Sequence, residues 1–260
     1  MNATNTSDAK QVPVQFRSII NKTIELLLTE SKDSRGIFLI GSVTDGTNNA
    51  SSDIDLVWIK SHKIGYKRWG KIEEKLNFNK AQKVQLVPFS SKQIRWHFDC
   101  SSTMAHSIQK GILLYGRKDK LISILLKEEL SLPTKEWMKH WFKHWLRKHQ
   151  WAKDSIKREK RYHKKFCKGK CNCTVFDDIA RITVNFAILY LETKNIVPVT
   201  KTQIVRNIKK SSSSLTKNVL EGVKLALKFS GKDKYLTLKQ ADKISFSSNW
   251  FKSRLKRCIL

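Results

Sequence analysis

Two short apolar runs, Ile37-Phe38-Leu39-Ile40 and Leu56-Val57-Trp58-Ile59, flank a polar connection that opens with Gly41-Ser42 and closes with Ser52-Asp53-Ile54-Asp55. Apolar runs of this length, bounded by turn residues, read as buried strands joined by a functional loop or short helix. Upstream, Phe16, Ile19, Ile20, Ile24, Leu27 and Leu28 recur at helical spacing, which predicts an amphipathic helix over Phe16–Glu30. Downstream, Tyr66–Leu76 reads as a helix with Trp69, Ile72 and Leu76 on one face. Val84–Phe89 reads as a third strand closed by Pro88. Two short helices, Lys92–Phe98 and Thr103–Gly111, precede a last strand at Ile112–Gly116. Strands alternating with helices in this way predict an α+β domain, a small mixed sheet with flanking helices.

From Leu121 onward the pattern is helical, which predicts an all-α bundle after the sheet. Pro133-Thr134 marks a helix start, with Thr134 as N-cap and Glu136 in the first turn. Trp137, Trp141 and Trp145 then follow at i, i+4 and i+8 beside Met138, Phe142 and Leu146, a stripe that reads as bundle core. Phe176–Leu191 reads as a long buried helix, and another begins near Lys201. Ser211–Ser214 is a low-complexity joint before an amphipathic helix over Leu215–Phe229. The tail from Gly231 to Leu260 is basic and fits either a short docking helix or an RNA-contacting tail. The resulting division is a disordered leader (1–13), an α+β domain (14–120), a helical domain (131–210) and a basic C-terminal extension with one helix (211–260).

Charge sharpens that division. The 260 residues carry a formal net charge of +29, but unevenly: residues 1–130 hold 20 Lys/Arg and 13 Asp/Glu (+7), and residues 131–260 hold 31 and 9 (+22). A balance this basic implies a polyanionic partner, RNA among the candidates, or a strongly solvated surface. No apolar run approaches a membrane span and the N-terminus is polar, so a cytoplasmic protein with no membrane partner is expected. Five cysteines, three of them clustered, argue for reduced thiols or a metal site over a disulfide framework.

The connection between the first two strands holds the chemistry. Side chains alternate along a strand, so Asp53 and Asp55 share a face about 6–7 Å apart, while Ile54 and Leu56 point into a core. Two adjacent carboxylates repel unless a cation lies between them, and Mg²⁺ binds through a few carboxylates together with substrate phosphates. Gly41-Ser42 lets backbone N–H groups approach a phosphate, and a helix starting at Ser42 would aim its positive end there. Gly-Ser, a spacer and Ser-Asp-Ile-Asp-Leu together resemble the signature of the nucleotidyltransferase superfamily, which includes DNA polymerase β and the small aminoglycoside nucleotidyltransferases. The Ile112–Gly116 ending is similar to the close of the minimal domain of that family. The resemblance implies Asp53 and Asp55 as catalytic Mg²⁺ ligands, Gly41, Ser42 and Ser52 as nucleotide-binding residues, and ATP or another NTP as substrate.

One position departs from the family pattern. A third carboxylate is expected on the following strand, where this chain has Val84-Gln85-Leu86. A Gln amide carries no charge and cannot act as a general base. In aminoglycoside-type members the base comes from the helical domain. The end of the Phe176 helix and its Pro- and Thr-containing turn resemble the HEPN or kanamycin-nucleotidyltransferase C-terminal domain, so Asp177 and Asp178 are the candidate bases. Their other reading is acids favoured by the helix dipole at a first turn.

Two further patterns lie in the basic stretch after residue 150. His163, Cys167, Cys171 and Cys173 offer four soft ligands in a short loop, fitting either a structural Zn²⁺ or free thiols in basic surroundings. Arg158 and His163 have the Arg-x4-His spacing that resembles the RNase motif of HEPN domains. Three functions follow: an Mg²⁺-dependent enzyme moving a nucleoside monophosphate, AMP from ATP, to a small-molecule, protein or RNA acceptor; a degenerate scaffold binding nucleic acid; and a toxin–antitoxin-like fusion with RNase activity.

Overall fold

A computed structural model of the chain describes residues 11–44, 46, 48, 53–76, 83–116, 121, 130–167, 174–211, 216–230 and 235–260. The chain divides into two compact units, Met1–Ser131 and Leu132–Leu260. Among the described residues no helix is long and apolar enough to cross a membrane.

The first unit opens with α1 (Val14–Glu30), followed by β1 (Ser34–Ile40), a single 3-10 turn (Gly41–Val43) and β2 (Ile54–Lys60). Then come α2 (Tyr66–Leu76), β3 (Val84–Ser90), α3 (Ser91–Asp99), α4 (Thr103–Gln109) and β4 (Ile112–Gly116). The four strands form one mixed sheet in the order β3-β2-β1-β4. β1 runs antiparallel to β2 and β4, and β3 runs parallel to β2. The sheet is buried on both sides. Leu39, Ile54, Leu56 and Trp58 pack in one cluster with Phe16, Ile20, Ile24 and Leu27 of α1 and Ile72 and Leu76 of α2. Phe38, Val57 and Ile59 face the other way, onto Ile94 and Phe98 of α3 and Ala105 and Ile108 of α4. Both faces being covered explains why β1 and β2 read as continuous apolar runs instead of alternating ones.

Pro88 does not close β3. It lies inside the strand, in register with Trp58, and the strand continues to Ser90. β3 is an edge strand, so a residue without an N–H costs it no ladder bond on the open side. Ser90 then caps α3 in a reciprocal pair with Gln93, which fixes the sharp passage from strand to helix.

The second unit is built on α5 (Lys135–Tyr162), a 28-residue helix capped by Thr134, whose side chain accepts from the Trp137 N–H at 3.2 Å. A π-helical turn (His163–Cys167), β5 (Thr174–Phe176), α6 (Asp178–Glu192) and α7 (Lys201–Ser211) follow. α8 (Lys217–Phe229), β6 (Tyr235–Thr237) and α9 (Leu238–Ile259) complete it. The Trp stripe of α5 is core-facing as expected: Trp137 is buried, and Trp141 and Trp145 pack against the cluster that contains Phe142 and Phe186.

For the tail from Gly231 the sequence leaves a short docking helix or an RNA-contacting tail open; among the described residues it carries the 22-residue α9, whose Ala241, Ile244, Phe251 and Leu255 belong to the same core as α6 and α8. Gly222 makes this possible, since a Cβ there would strike the Ser247 side chain and the Lys243 carbonyl of α9. The Ser247 hydroxyl uses that close approach to donate to the Val219 carbonyl at 3.0 Å. β5 and β6, neither of them expected from sequence pattern, pair antiparallel and bury Val175 against Leu236.

Candidate active site

The motif residues meet where β1 ends and β2 begins. Antiparallel register sets Ile40 opposite Asp55, so the Gly41 turn starts beside the Asp55 carboxylate. Gly41 has φ +79°, and a Cβ there would lie 2.5 Å from Asp55 Oδ2. Only glycine allows both the left-handed backbone and the close carboxylate. The turn is closed on itself, the Gly41 carbonyl accepting from the Thr44 N–H at 3.1 Å and from the Thr44 hydroxyl at 2.7 Å. The expected helix from Ser42 is therefore a single 3-10 turn, too short to carry a macrodipole. Val43 is buried in the sheet core and anchors it.

Asp55 lies on the same face of β2 as Val57 and Ile59, at the end where the apolar cluster under α3 and α4 stops. Asp53 precedes the strand by one residue, and both side chains are partly exposed. Parallel pairing of β2 with β3 sets Gln85 in register with Asp55, which brings the amide to the carboxylates. Gln85 Nε2 donates to Asp53 Oδ2 at 2.7 Å. From sequence alone Gln85 reads as an uncharged residue in place of an acid, whereas here it serves as a hydrogen-bond donor to one. An ionised carboxylate can only accept, so the amide must turn its nitrogen toward Asp53. The signal for this hydrogen bond is β2–β3 register, which sequence pattern alone does not reveal.

Two carboxylates at one end of the strand, with Gly41 making room for that of Asp55, form a donor set that fits one hard divalent cation such as Mg²⁺. Among the described residues no group of three or more His, Cys, Asp or Glu side chains is arranged to hold a metal ion. The inferred cation would therefore complete its shell with substrate oxygens and water. Ser42 is part of the 3-10 turn, and Ser52 lies outside the described residues.

The remaining candidate residues belong to the second unit. Asp177 immediately precedes α6 and is 3 % exposed; its side chain makes no capping bond and instead accepts from Arg181 Nε at 3.3 Å. Asp178 is exposed in the first turn of α6. Arg158 is exposed on α5, while His163 begins the π-helical turn at the end of that helix. Five residues on an α-helix span roughly 140° about the axis, so regular helical geometry would not stack the two side chains. Cys167 closes the π-helical turn, and Cys171 and Cys173 lie outside the described residues.

Residues 21–120 match the family described as polymerase beta, nucleotidyltransferase. No curated protein matches the chain. The spectinomycin adenyltransferase AAD(9) of Enterococcus faecialis, solved with ATP and spectinomycin, is similar in structure over 92% of this chain and 98% of its own, with TM-score 0.55 and 14% identity. A nucleotidyltransferase-like protein of Exiguobacterium sibiricum matches over 90% of this chain and 74% of its own, with TM-score 0.35 and 12% identity. A toxin–antitoxin structure with AMP-PNP matches over 40% and 79%, with TM-score 0.32 and 23% identity. At its level of identity the adenyltransferase shares a fold with this chain, a mixed sheet followed by a helical region. Residues 21–120, which contain the Gly41 turn and the paired carboxylates Asp53 and Asp55, thus form a nucleotidyltransferase domain of the polymerase β superfamily.

Proposed function

We propose that this chain transfers AMP from ATP to an acceptor nucleophile. The observation that carries the reading is the seating of the Asp55 carboxylate against Gly41, with Asp53 beside it, inside the segment that matches the family. The adenyltransferase of similar fold was solved with ATP, which favours ATP as the donor here. Asp53 and Asp55 would hold Mg²⁺, which supplies charge neutralisation at the phosphates. The Gly41 turn would present backbone N–H groups and the Ser42 hydroxyl to the outer phosphates, and the absent Cβ makes room for the Asp55 carboxylate beside them. Gln85 steadies the Asp53 carboxylate through its amide and offers no site for a proton. The acceptor proton must then go to a group other than Gln85, and Asp177 and Asp178 are the candidates carried over from the sequence; Asp177 is buried and Asp178 exposed in their own unit.

Label transfer tests this directly. Protein incubated with α-labelled ATP, Mg²⁺ and cell extract should label an acceptor, and the Asp53→Ala/Asp55→Ala double variant should abolish it. Equal labelling by that double variant refutes the assignment.

The Gln85–Asp53 hydrogen bond favours one alternative, a scaffold that binds nucleotide or nucleic acid without turnover. On that alternative, the double variant no longer binds ATP and the wild type gives no labelling.

A further inference from the structure

An open groove of about 840 Å³ runs along α5 and the start of α6, wholly within the second unit. Its lining combines two features, one cationic and one aromatic. Lys148, Lys157, Arg158, Arg161 and Arg181 contribute five cations, against the two acids Asp154 and Asp178. Asp154 accepts from the Gln150 amide at 3.1 Å on both oxygens, and Arg181 is engaged by Asp177. Lys157, Arg158 and Arg161 are exposed and have no salt-bridge partner among the described residues.

The second feature is aromatic. Trp151 is 82 % exposed, a costly position for the largest apolar side chain, and it makes no ring contact among the described residues. Trp145 lies in the same groove with Lys148 Nζ 5.0 Å over its ring. From Trp145 to Arg161 the helix extends about 24 Å, which gives the aromatic and cationic groups linear order. Scattered lysines on a solvated face would account for the charge alone. They would not account for a bare indole set among them.

We infer that this groove binds single-stranded nucleic acid. Lys157, Arg158 and Arg161 engage successive phosphates, and Trp151 stacks on an unpaired base, the pairing by which sequence-tolerant single-strand sites work. A duplex would satisfy the cations but leave Trp151 idle, because its bases are already stacked. An acidic protein would likewise meet the cations without a flat partner for the indole. The inference concerns binding and holds whether or not the first unit transfers AMP.

Fluorescence anisotropy on the full chain tests it, with labelled oligo-U and oligo-dT of about twelve nucleotides and an RNA duplex of the same length. The expected result is tighter binding of the single strands than of the duplex, the RNA and DNA arms deciding which is preferred. Trp151→Ala should weaken single-strand binding by about 5- to 150-fold, and Trp151→Phe should largely restore it. Arg158→Gln/Arg161→Gln should flatten the dependence of log K on log salt by about 0.7 for each phosphate no longer neutralised. All three substituted positions are exposed, so thermal melts should match the wild type. The Asp53→Ala/Asp55→Ala variant should bind as the wild type does, which separates this site from the transferase reading. Equal binding of duplex and single strand, or unchanged affinity in Trp151→Ala, overturns the inference.

Discussion

Gln85→Glu restores the carboxylate that the superfamily pattern expects, and the structure sets what this should cost. In the wild type the Gln85 amide donates to Asp53 Oδ2 at 2.7 Å. The substitution removes a hydrogen bond to a charged group, about 1.5–3 kcal/mol. It also places a second negative charge at nearly the same separation. Two charges roughly 4 Å apart repel by about 4 kcal/mol at an effective dielectric of 20, and less where water reaches them. Both side chains are partly exposed, so a combined penalty on the order of 2–4 kcal/mol is reasonable without metal. For a unit of this size that lowers the melting temperature by on the order of 5–15 °C.

The penalty should respond to Mg²⁺ and to pH in defined directions. A cation between the carboxylates converts repulsion into ligation, so Mg²⁺ should raise the melting temperature of Gln85→Glu far more than that of the wild type. Like-charge proximity raises a carboxyl pKa in the folded state above its unfolded value of about 4.3. The folded protein then takes up a proton before the unfolded chain does, so the destabilisation is full above the raised value and fades as pH falls below it. Differential scanning fluorimetry with EDTA or Mg²⁺, over a pH series, reads all of this. If Gln85→Glu melts with the wild type in EDTA and gains no more from Mg²⁺, then Gln85 does not contact Asp53 and the assigned cation site is wrong. A variant that gains both Mg²⁺ response and labelling activity would identify Gln85 as the residue holding the wild type back.

Gly41→Ala forces a Cβ to 2.5 Å from Asp55 Oδ2 in a left-handed backbone; it should cost about 1–3 kcal/mol and abolish ATP binding, measured by melting and calorimetry. Retained ATP affinity would show that the turn does not cradle the substrate. His149 is fully buried with neither ring nitrogen hydrogen-bonded among the described residues, and burial, aided by Lys252 and Lys153, pushes its pKa down to about 4. Stability that depends on its neutral form is full above pH 6.5 and lost as pH falls toward 4, so His149→Leu should flatten this part of the acid limb. His97, held at about 4 by its own burial, keeps part of the slope. Cleavage of a single-stranded RNA by the wild type that is lost in His163→Ala would support the Arg158–His163 nuclease pair; no cleavage, or cleavage that survives the substitution, counts against it.

The parts of this molecule that were legible in the sequence are those where one local pattern dominates. β1 and β2 carry unbroken apolar runs because helices cover both faces of the sheet, and the turn between them announces itself through Gly41. What stayed hidden depends on pairing between distant segments. Gln85 reads as a missing acid until the parallel register of β3 with β2 brings its amide to Asp53. Val175 and Leu236 are too short a pattern to declare strands before their antiparallel partnership is known. In α9, Ala241, Ile244, Phe251, Leu255 and Ile259 do keep helical period, but buried Ser247 and Ser248 interrupt it, so the sequence leaves a short docking helix and an RNA-contacting tail equally open. Ser247 is a core residue because Gly222 brings α8 near enough to accept its hydrogen bond.

Charge that folding merely tolerates can be told apart, on α5, from charge that function explains. The helix buries Phe142, His149, Ala152 and Ile156 on one side and carries its cations on the other. Like charges at i, i+3 and i+4 destabilise an isolated helix, so Lys157, Arg158 and Arg161 are held in line by the buried face and not by one another. Lys160 and Arg161 do gain from the helix C-terminus, where positive charge is favoured. That gain stops within the last turn and does not reach Lys157. On the inference that the groove along α5 takes a single strand, a core that withstands such repulsion would hold a row of cations for the phosphates, with the exposed Trp151 set within the row for the bases.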